Sequence, residues 1–209
     1  MRRAATLVLL AVLLAGCGGS EAPEAEPARL GPLELVEALR EGGHVVYLRH
    51  AATDRSREDD PAVDLDDCAT QRNLSNAGRE QARAIGAAVR ALQIPLGRVA
   101  ASEYCRTRET AELAFGAFED EPDLTGFPEE SDPTYDERVR RTKELLAAPP
   151  PDGGNTVLVA HVKNLEESVS RSIDEGELAV FEPLGGMRSR YRGQIPASLW
   201  PDLVEEAGR

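Results

Sequence analysis

The stretch that decides the fold is His44-Val45-Val46-Tyr47-Leu48-Arg49-His50. Residues 44–48 are apolar after the opening histidine and rich in β-branched and aromatic side chains, which predicts a short buried strand. Arg49 and His50 follow at once and therefore lie at the C-terminal end of that strand. His44, at the other end, is interpreted as a structural residue.

Two further segments repeat this arrangement. Thr156 to Ala160 is a second apolar strand that ends in His161, and Arg98 to Ser102 is a short strand candidate followed by a turn that carries Arg106. Helices are predicted from Pro32 to Gly42, from Ser75 to about residue 92, over 105–115, and from the capping box Thr134-Tyr135-Asp136-Glu137 toward Leu146. Polar loops are predicted at 51–73 and 117–133, with weaker strands at 178–181 and 189–192.

Alternation of strands and helices predicts an α/β domain with a mostly parallel sheet. In such sheets ligands bind at the C-terminal edge of the strands. Arg49-His50, His161 and the turn before Arg106 all fall at strand ends, so three separate segments are expected to converge on one site.

Composition limits what that site can bind. The 209 residues include 37 acidic and 24 basic side chains, a net charge of −13, and only 4% aromatic residues. That balance argues against a nucleic-acid partner, which needs a basic face. An acidic chain also repels anions at long range, so any phosphate site must be a local cluster of arginine and histidine.

The first residues resemble a bacterial lipoprotein signal. Met1-Arg2-Arg3 is a basic start, residues 4–14 are an apolar run too short to span a bilayer comfortably, and Leu14-Ala15-Gly16-Cys17 follows. The expected organisation is a signal peptide at 1–16, a lipid-anchored flexible linker at 17–30 and a folded domain at 31–209. Lipidation of Cys17 would tether an exported protein to the membrane surface of the bacterial cell envelope.

Four motifs, in order and spacing, resemble the histidine phosphatase superfamily, the phosphoglycerate mutase-like proteins. They span residues 48–161 and are Leu48-Arg49-His50-Ala51, Asn73-Leu74-Ser75-Asn76-Ala77-Gly78, Ser102-Glu103-Tyr104-Cys105-Arg106-Thr107 and Val157-Leu158-Val159-Ala160-His161. The resemblance implies a three-layer α/β/α fold and a phosphatase, a phosphoric monoester hydrolase that acts on a small phosphorylated substrate.

The resemblance also implies residue roles. His50 is the expected nucleophile on phosphorus, which forms a phosphohistidine, while Arg49, Arg106 and His161 are catalytic and bind the phosphoryl group. Arginine presents forked donors that match phosphate oxygens. Arg55, close in sequence to His50, is a further expected phosphate ligand, ahead of Arg57 and Arg72. Neither a metal nor a cofactor is expected.

Two features depart from the family pattern or leave a role open. Ala51 and Val162 stand where the family usually has glycine. The general acid has several candidates in two acidic loops: Glu129, Glu130, Asp132, Glu175 and Glu177. An unassigned acid and the bulk of Val162 favour an alternative function, a non-catalytic phosphate- or phosphosugar-binding lipoprotein.

The remaining cysteines, Cys68 and Cys105, form an even pair in a chain expected to be exported. Exported compartments are oxidising, so a disulfide is predicted, with two free buried thiols as the alternative. Because Cys105 precedes Arg106 and Cys68 lies in the loop after His50, a bridge would tie that loop to the turn that carries the expected phosphate ligand.

Overall fold

A computed structural model describes residues 29–127 and 130–208. Within them the strands are β1 (Val45–Arg49), β2 (Leu96–Ala101), β3 (Glu119–Asp120), β4 (Asn155–Ala160), β5 (Leu178–Pro183) and β6 (Ser189–Ile195). The α-helices are α1 (Pro32–Glu41), α2 (Asn76–Ala91), α3 (Cys105–Phe115), α4 (Tyr135–Ala147), α5 (Val162–Val169) and α6 (Trp200–Ala207).

The strands form one mostly parallel sheet in the order β3-β2-β4-β1-β5-β6. The first four strands of that order are parallel, and β1 and β4, which lead to His50 and His161, are neighbours near its centre. β5 runs antiparallel to β1 and forms a hairpin with β6. The C-terminal ends of β2, β4 and β1 therefore lie side by side.

Alternate side chains of the sheet face two hydrophobic cores. In β1, Val46 and Leu48 pack into a core with residues of α1, α2, α3 and α6, while Val45 and Tyr47 pack into a core with residues of α4 and α5. Helices thus cover both faces, and the residues of β1 and β4 are buried at nearly every position. The predicted three-layer α/β/α fold is confirmed.

The predictions for individual helix caps and loops had different outcomes. Ser75 caps α2 as expected, since its hydroxyl accepts a hydrogen bond from Gly78 N at 3.0 Å. The capping box at Thr134 is wrong: the Thr134 side chain makes no cap bond, and its hydroxyl bonds to Asp132 instead. The loop predicted at 117–133 contains the short strand β3, which pairs with the end of β2.

The signal peptide predicted at 1–16, Cys17 and most of the linker predicted at 17–30 lie outside the described residues. Within 29–127 and 130–208, no helix is long and apolar enough to cross a membrane.

Candidate active site

His50 lies just beyond β1 and is held by the backbone of the sheet. Its backbone N donates to Ala160 O at 3.0 Å, and only 3% of the residue is exposed. The ring Nδ1 lies 2.9 Å from Ala51 O. A carbonyl can only accept, so Nδ1 carries the hydrogen and the neutral ring keeps its lone pair on Nε2.

The segment after His50 is fixed by α2. Ala52 N donates to Gln81 Oε1 at 2.9 Å, and Ala52 O accepts from Ser75 N at 3.0 Å. Gly78 permits this approach, because a Cβ there would lie 1.9 Å from Ala52 O. The Ser75–Gly78 motif therefore serves to hold the backbone beside the expected nucleophile.

His161 follows β4 and faces His50. The two ring centroids are 5.5 Å apart in an edge-on arrangement. His161 Nε2 is hydrogen-bonded to the Ser102 hydroxyl at 2.8 Å, which leaves Nδ1 as the other polar atom of the ring. Its backbone carbonyl accepts from the Tyr47 hydroxyl at 2.7 Å. Tyr47 of β1 and Ser102, which directly follows β2, thus hold His161 at the end of β4.

Each of the two expected arginines donates hydrogen bonds through Nη1, and Arg49 Nη2 also lies 3.9 Å from Glu175 Oε1. Arg49 Nη1 donates to Ile173 O at 2.9 Å. Arg106, at the start of α3, donates from Nη1 to Asp59 Oδ1 at 3.0 Å, and its guanidinium lies 4.2 Å from the centre of the Tyr104 ring. The Nε atoms of both arginines are buried and lack a hydrogen-bond partner among the described residues.

The loop 51–73 brings further groups to Arg106. Asp59 Oδ1 accepts from Arg72 N at 2.7 Å as well as from Arg106. The predicted disulfide between Cys68 and Cys105 is formed. Cys105 N also donates to the side chain of the fully buried Gln71 at 2.8 Å. The loop is thereby attached to the first turn of α3.

These groups surround a cavity of about 230 Å³. Its lining residues are Arg49, His50, Arg72, Tyr104, Arg106, Gly126, Phe127, His161, Val162, Lys163 and Asn164. Four of these carry positive charge, and none of these described lining residues is a carboxylate. In a chain with a net charge of −13, the cavity is a local cationic site. A phosphate monoester, with a charge of about −1.5 to −2 at neutral pH, suits it.

Burial and neighbouring cations keep both imidazoles neutral. Burial, aided by Arg106 and Arg49, lowers the pKa of His50 to about 4, although the Ala51 carbonyl opposes this shift. Burial also places the pKa of His161 well below its ordinary value, again with help from Arg106. At neutral pH His50 is therefore an unprotonated base with a free lone pair, the form required of a nucleophile.

The structure does not bring Arg55, the expected further phosphate ligand, into the cavity lining. Its exposed guanidinium pairs with Glu175 at 3.2 Å and is absent from the cavity lining, where Arg72 lies instead. Closeness in sequence to His50 did not indicate position, because the loop runs outward before it returns. The return is marked by a bridge between Thr53 and Leu74, which brings Arg72 back beside the site.

The hydrogen-bond partners of the candidate general acids distinguish them from one another. Glu177 is buried and accepts from Asp174 N and Gln194 Nε2, each at 2.8 Å, so it is a structural residue. Glu175 is bonded to Thr53 and Arg55; burial opposes its ionisation, but these hydrogen bonds and His50 nevertheless lower its pKa. Asp132 accepts from Thr134.

Two carboxylates remain as candidates for the general acid. Glu130 is exposed, three residues beyond the cavity-lining Phe127. Glu129 lies outside the described residues.

Sequence reasoning missed several groups at the site. Tyr104 packs edge-on against His161 with ring centroids 5.0 Å apart, and Ser102 bonds to the same imidazole. Both belong to the segment that carries Arg106, so their motif position was a usable signal. Asp59 gave no such signal, because it is one of several acidic residues in the loop 51–73.

Comparison with known proteins agrees with a phosphate-binding site that contains histidine. Residues 45–126 match the sequence model of the histidine phosphatase superfamily (branch 1). No curated protein matches the chain by sequence.

Solved structures share the fold. The alpha-ribazole phosphatase from Shigella flexneri superposes with a TM-score of 0.53 at 14% identity, over 74% of this chain and 96% of that one. The protein histidine phosphatase SixA complexed with tungstate gives 0.52 at 16%, over 74% and 97%. Phosphoserine phosphatase from Entamoeba histolytica, in complex with 3-phosphoglyceric acid, gives 0.53 at 12%, over 73% and 96%.

Proposed function

We propose that this chain, a phosphatase of the histidine phosphatase superfamily, hydrolyses small phosphomonoesters outside the cytoplasm through a phosphohistidine on His50. The observation that carries the proposal is the fixed tautomer of His50. With Nδ1–H bound to Ala51 O at 2.9 Å, the lone pair lies on Nε2, in a residue that lines the cationic cavity.

The reaction has two displacement steps. In the first, His50 Nε2 forms a bond to phosphorus while the ester P–O bond breaks, and a general acid protonates the leaving alcohol. In the second, water attacks phosphorus while the P–N bond breaks, the deprotonated acid takes a proton from the water, and phosphate leaves with His50 restored. The phosphorylated ring carries positive charge, which the Nδ1–H bond to the Ala51 carbonyl stabilises.

Binding of the phosphoryl group relies on Arg49, Arg72, Arg106 and His161. Phosphoryl transfer needs mainly positioning and charge stabilisation. Arg106 is held at Nη1 by Asp59, and Nε on its opposite edge has no protein partner among the described residues. A phosphate that binds the Nε–Nη2 edge would meet the paired geometry that arginine offers and lysine does not.

The leaving-group acid comes, in this mechanism, from the segment that follows Phe127. Glu175 and Glu177 are already engaged by other residues, and Asp132 accepts from Thr134. Glu130 is exposed and lies three residues after the cavity-lining Phe127 in the sequence. Glu130→Gln and Glu129→Gln, assayed with esters of good and poor leaving groups, identify the acid, because its loss slows the poor leaving group most.

The decisive assay is turnover of a chromogenic phosphate monoester by the purified full chain, compared with His50→Ala. His44→Ala is the matched control, since His44 precedes the same strand at the opposite end. We expect loss of turnover in His50→Ala and normal turnover in His44→Ala. Phosphate binding without turnover in the wild-type protein would favour the alternative, a non-catalytic phosphate- or phosphosugar-binding lipoprotein.

Action outside the cytoplasm is tested through Cys17. The lipoprotein-like sequence at residues 1–17 supports export and acylation, and the disulfide between Cys68 and Cys105 suits an oxidising compartment. Labelled palmitate should be incorporated in a bacterial host and lost in Cys17→Ser, which should also leave the membrane fraction. Equal labelling of the two forms would contradict the anchor.

A further inference from the structure

The turn between β5 and β6 carries an unusual pair of side chains. This hairpin tip, Leu184–Arg188, contains the two large hydrophobic residues that are exposed among the residues the structure describes, Leu184 at 36% and Met187 at 55%. The other large apolar side chains among those residues are buried or partly buried. Because these two side chains share one short turn, they form a small apolar patch rather than isolated exposed residues.

Arginines surround the hairpin tip in an otherwise acidic chain. Arg188 is exposed at the tip, and Arg190 and Arg192 follow it on β6 and share a single carboxylate, Glu182, at 3.0 and 2.8 Å. On Tyr191, between them, lie the guanidinium groups of Arg171 and Arg29, 4.5 and 5.5 Å from the ring centre. The hairpin end thus combines apolar side chains with a local excess of positive charge.

The polypeptide enters the domain beside this same end. Leu30 N donates to Arg192 O at 2.8 Å, and Arg29 lies against Tyr191, one residue nearer the hairpin tip. Residues 1–28 precede this point. The sequence that resembles a lipoprotein signal is therefore joined to the domain on the side where the apolar and basic residues are exposed.

The sheet register places the hairpin tip opposite the active site. Leu178, at the start of β5, pairs with Leu48 near His50, whereas Phe181 pairs with Val45 at the beginning of β1. β5 therefore runs away from the catalytic edge, and the turn after it lies at the N-terminal end of the parallel strands. The cavity with His50 opens at the other end.

We propose that the hairpin tip, with Arg29, Arg171, Arg190 and Arg192, is a contact surface for an anionic lipid bilayer. Leu184 and Met187 enter the interfacial region, and the arginines bind acidic headgroups. The active site then faces away from the membrane. Given the proposed phosphatase function, its substrates arrive from the aqueous phase rather than from the plane of the bilayer.

The test uses the full chain in the Cys17→Ser background, so that the contact is measured without the anchor. Met187→Cys is labelled with an environment-sensitive fluorophore, and vesicles contain spin-labelled lipid as quencher. Ala62→Cys is the matched control, because Ala62 is exposed in the loop 51–73 at the catalytic end. The disulfide occupies the remaining cysteines.

We expect quenching and a blue-shifted emission at position 187 with phosphatidylglycerol vesicles, and neither effect at position 62. Arg188→Glu should reduce the quenching at 187, and added salt should do the same. Turnover of a soluble ester should be unchanged in Arg188→Glu, which separates this proposal from the catalytic one.

Equal quenching at the two positions, or none at 187, would overturn the proposal. A blue shift at 187 without vesicles that increases with protein concentration would also overturn it, because a second copy of the chain would then cover the tip.

Discussion

The candidate active site has a strand half and a loop half, which are held in place by different contacts. His50 and His161 lie at the ends of neighbouring central strands; the Ala160 carbonyl holds the His50 backbone, and the Ser102 and Tyr47 hydroxyls hold His161. Arg72 and Asp59 lie in the loop 51–73, which depends on side-chain bonds and a disulfide for its position. The comparison indicates that the sheet sets the protonation and direction of the imidazoles, while the loop sets the arrangement of cations around them.

The largest loss of catalytic efficiency is expected for a substitution of Arg106, where the strand half and the loop half of the site meet. Arg106→Lys keeps the charge but removes the forked donors, and we expect kcat/KM to fall by about 10²–10³-fold, the loss typical when a transition-state donor is removed. Steady-state kinetics with Arg55→Lys as the matched control measures it, since Arg55 is exposed and outside the cavity lining. Wild-type efficiency in Arg106→Lys would place the phosphoryl group elsewhere.

Removal of the disulfide tests whether the loop half depends on it. Cys68 and Cys105 are 37 residues apart, and closing a loop of that length contributes about 3–4 kcal/mol in the chain-entropy description. Cys68→Ser should lower the free energy of unfolding by up to that amount and raise KM, because Arg72 and Arg106 are less firmly held.

Urea unfolding and kinetics measure the two effects, and non-reduced alkylation verifies the bridge in the wild-type protein. Uptake of the alkylating agent by both cysteines without reductant would remove the basis of this prediction. An unchanged KM in a destabilised Cys68→Ser would show that the loop holds its position without the bridge.

Asp59 gives a smaller, more specific test of the loop half. Its carboxylate holds Arg106 Nη1 at 3.0 Å, so Asp59→Asn should loosen the guanidinium and reduce kcat/KM about tenfold, the equivalent of one hydrogen bond to a charged group. The change should appear mainly in KM, and Asp59→Glu should restore part of it. Asp60→Asn is the control, because Asp60 contributes a backbone bond to Thr70. Equal losses of kcat/KM in Asp59→Asn and Asp60→Asn would mean that the negative charge of the loop, rather than the contact of Asp59 with Arg106, determines the activity.

The burial of His50 at the end of its strand predicts that the free energy of unfolding depends on pH. A histidine in the unfolded chain titrates near 6.5, whereas the pKa of folded His50 is lowered to about 4. Between these values the unfolded state binds a proton that the folded state does not, so the free energy of unfolding should fall as pH decreases, by up to about 1.4 kcal/mol per unit for each such site. Urea midpoints at pH 7 and 5 should differ less in His50→Ala. If the urea midpoint depended on pH identically in the wild-type protein and in His50→Ala, a neutral, buried His50 would be contradicted.

The same division explains how much the sequence predicted. The strand half follows from local patterns: an apolar run fixes each strand, parallel strands end at one edge, and Arg49, His50 and His161 must then be close together. Arg106 was found because its motif follows a strand as well. The fold class could be predicted for the same reason.

The loop half could not be predicted from such patterns. Arg55 and Arg72 are both loop arginines, and which of them reaches the cavity depends on how the loop returns through the Thr53–Leu74 bridge. Asp59 is one of many acidic residues in that loop, and its contact with Arg106 follows from the disulfide and the buried Gln71. These are tertiary contacts between segments with no shared periodicity.

The proposed mechanism depends most directly on a covalent bond between His50 and phosphorus. The full chain is mixed with a ³²P-labelled phosphate monoester, quenched in alkali within one turnover and digested for peptide mapping. We expect label on the peptide that contains His50, stable in alkali and released by acid, and none in His50→Ala. Turnover without labelled protein, together with full activity in His50→Ala, would contradict the account.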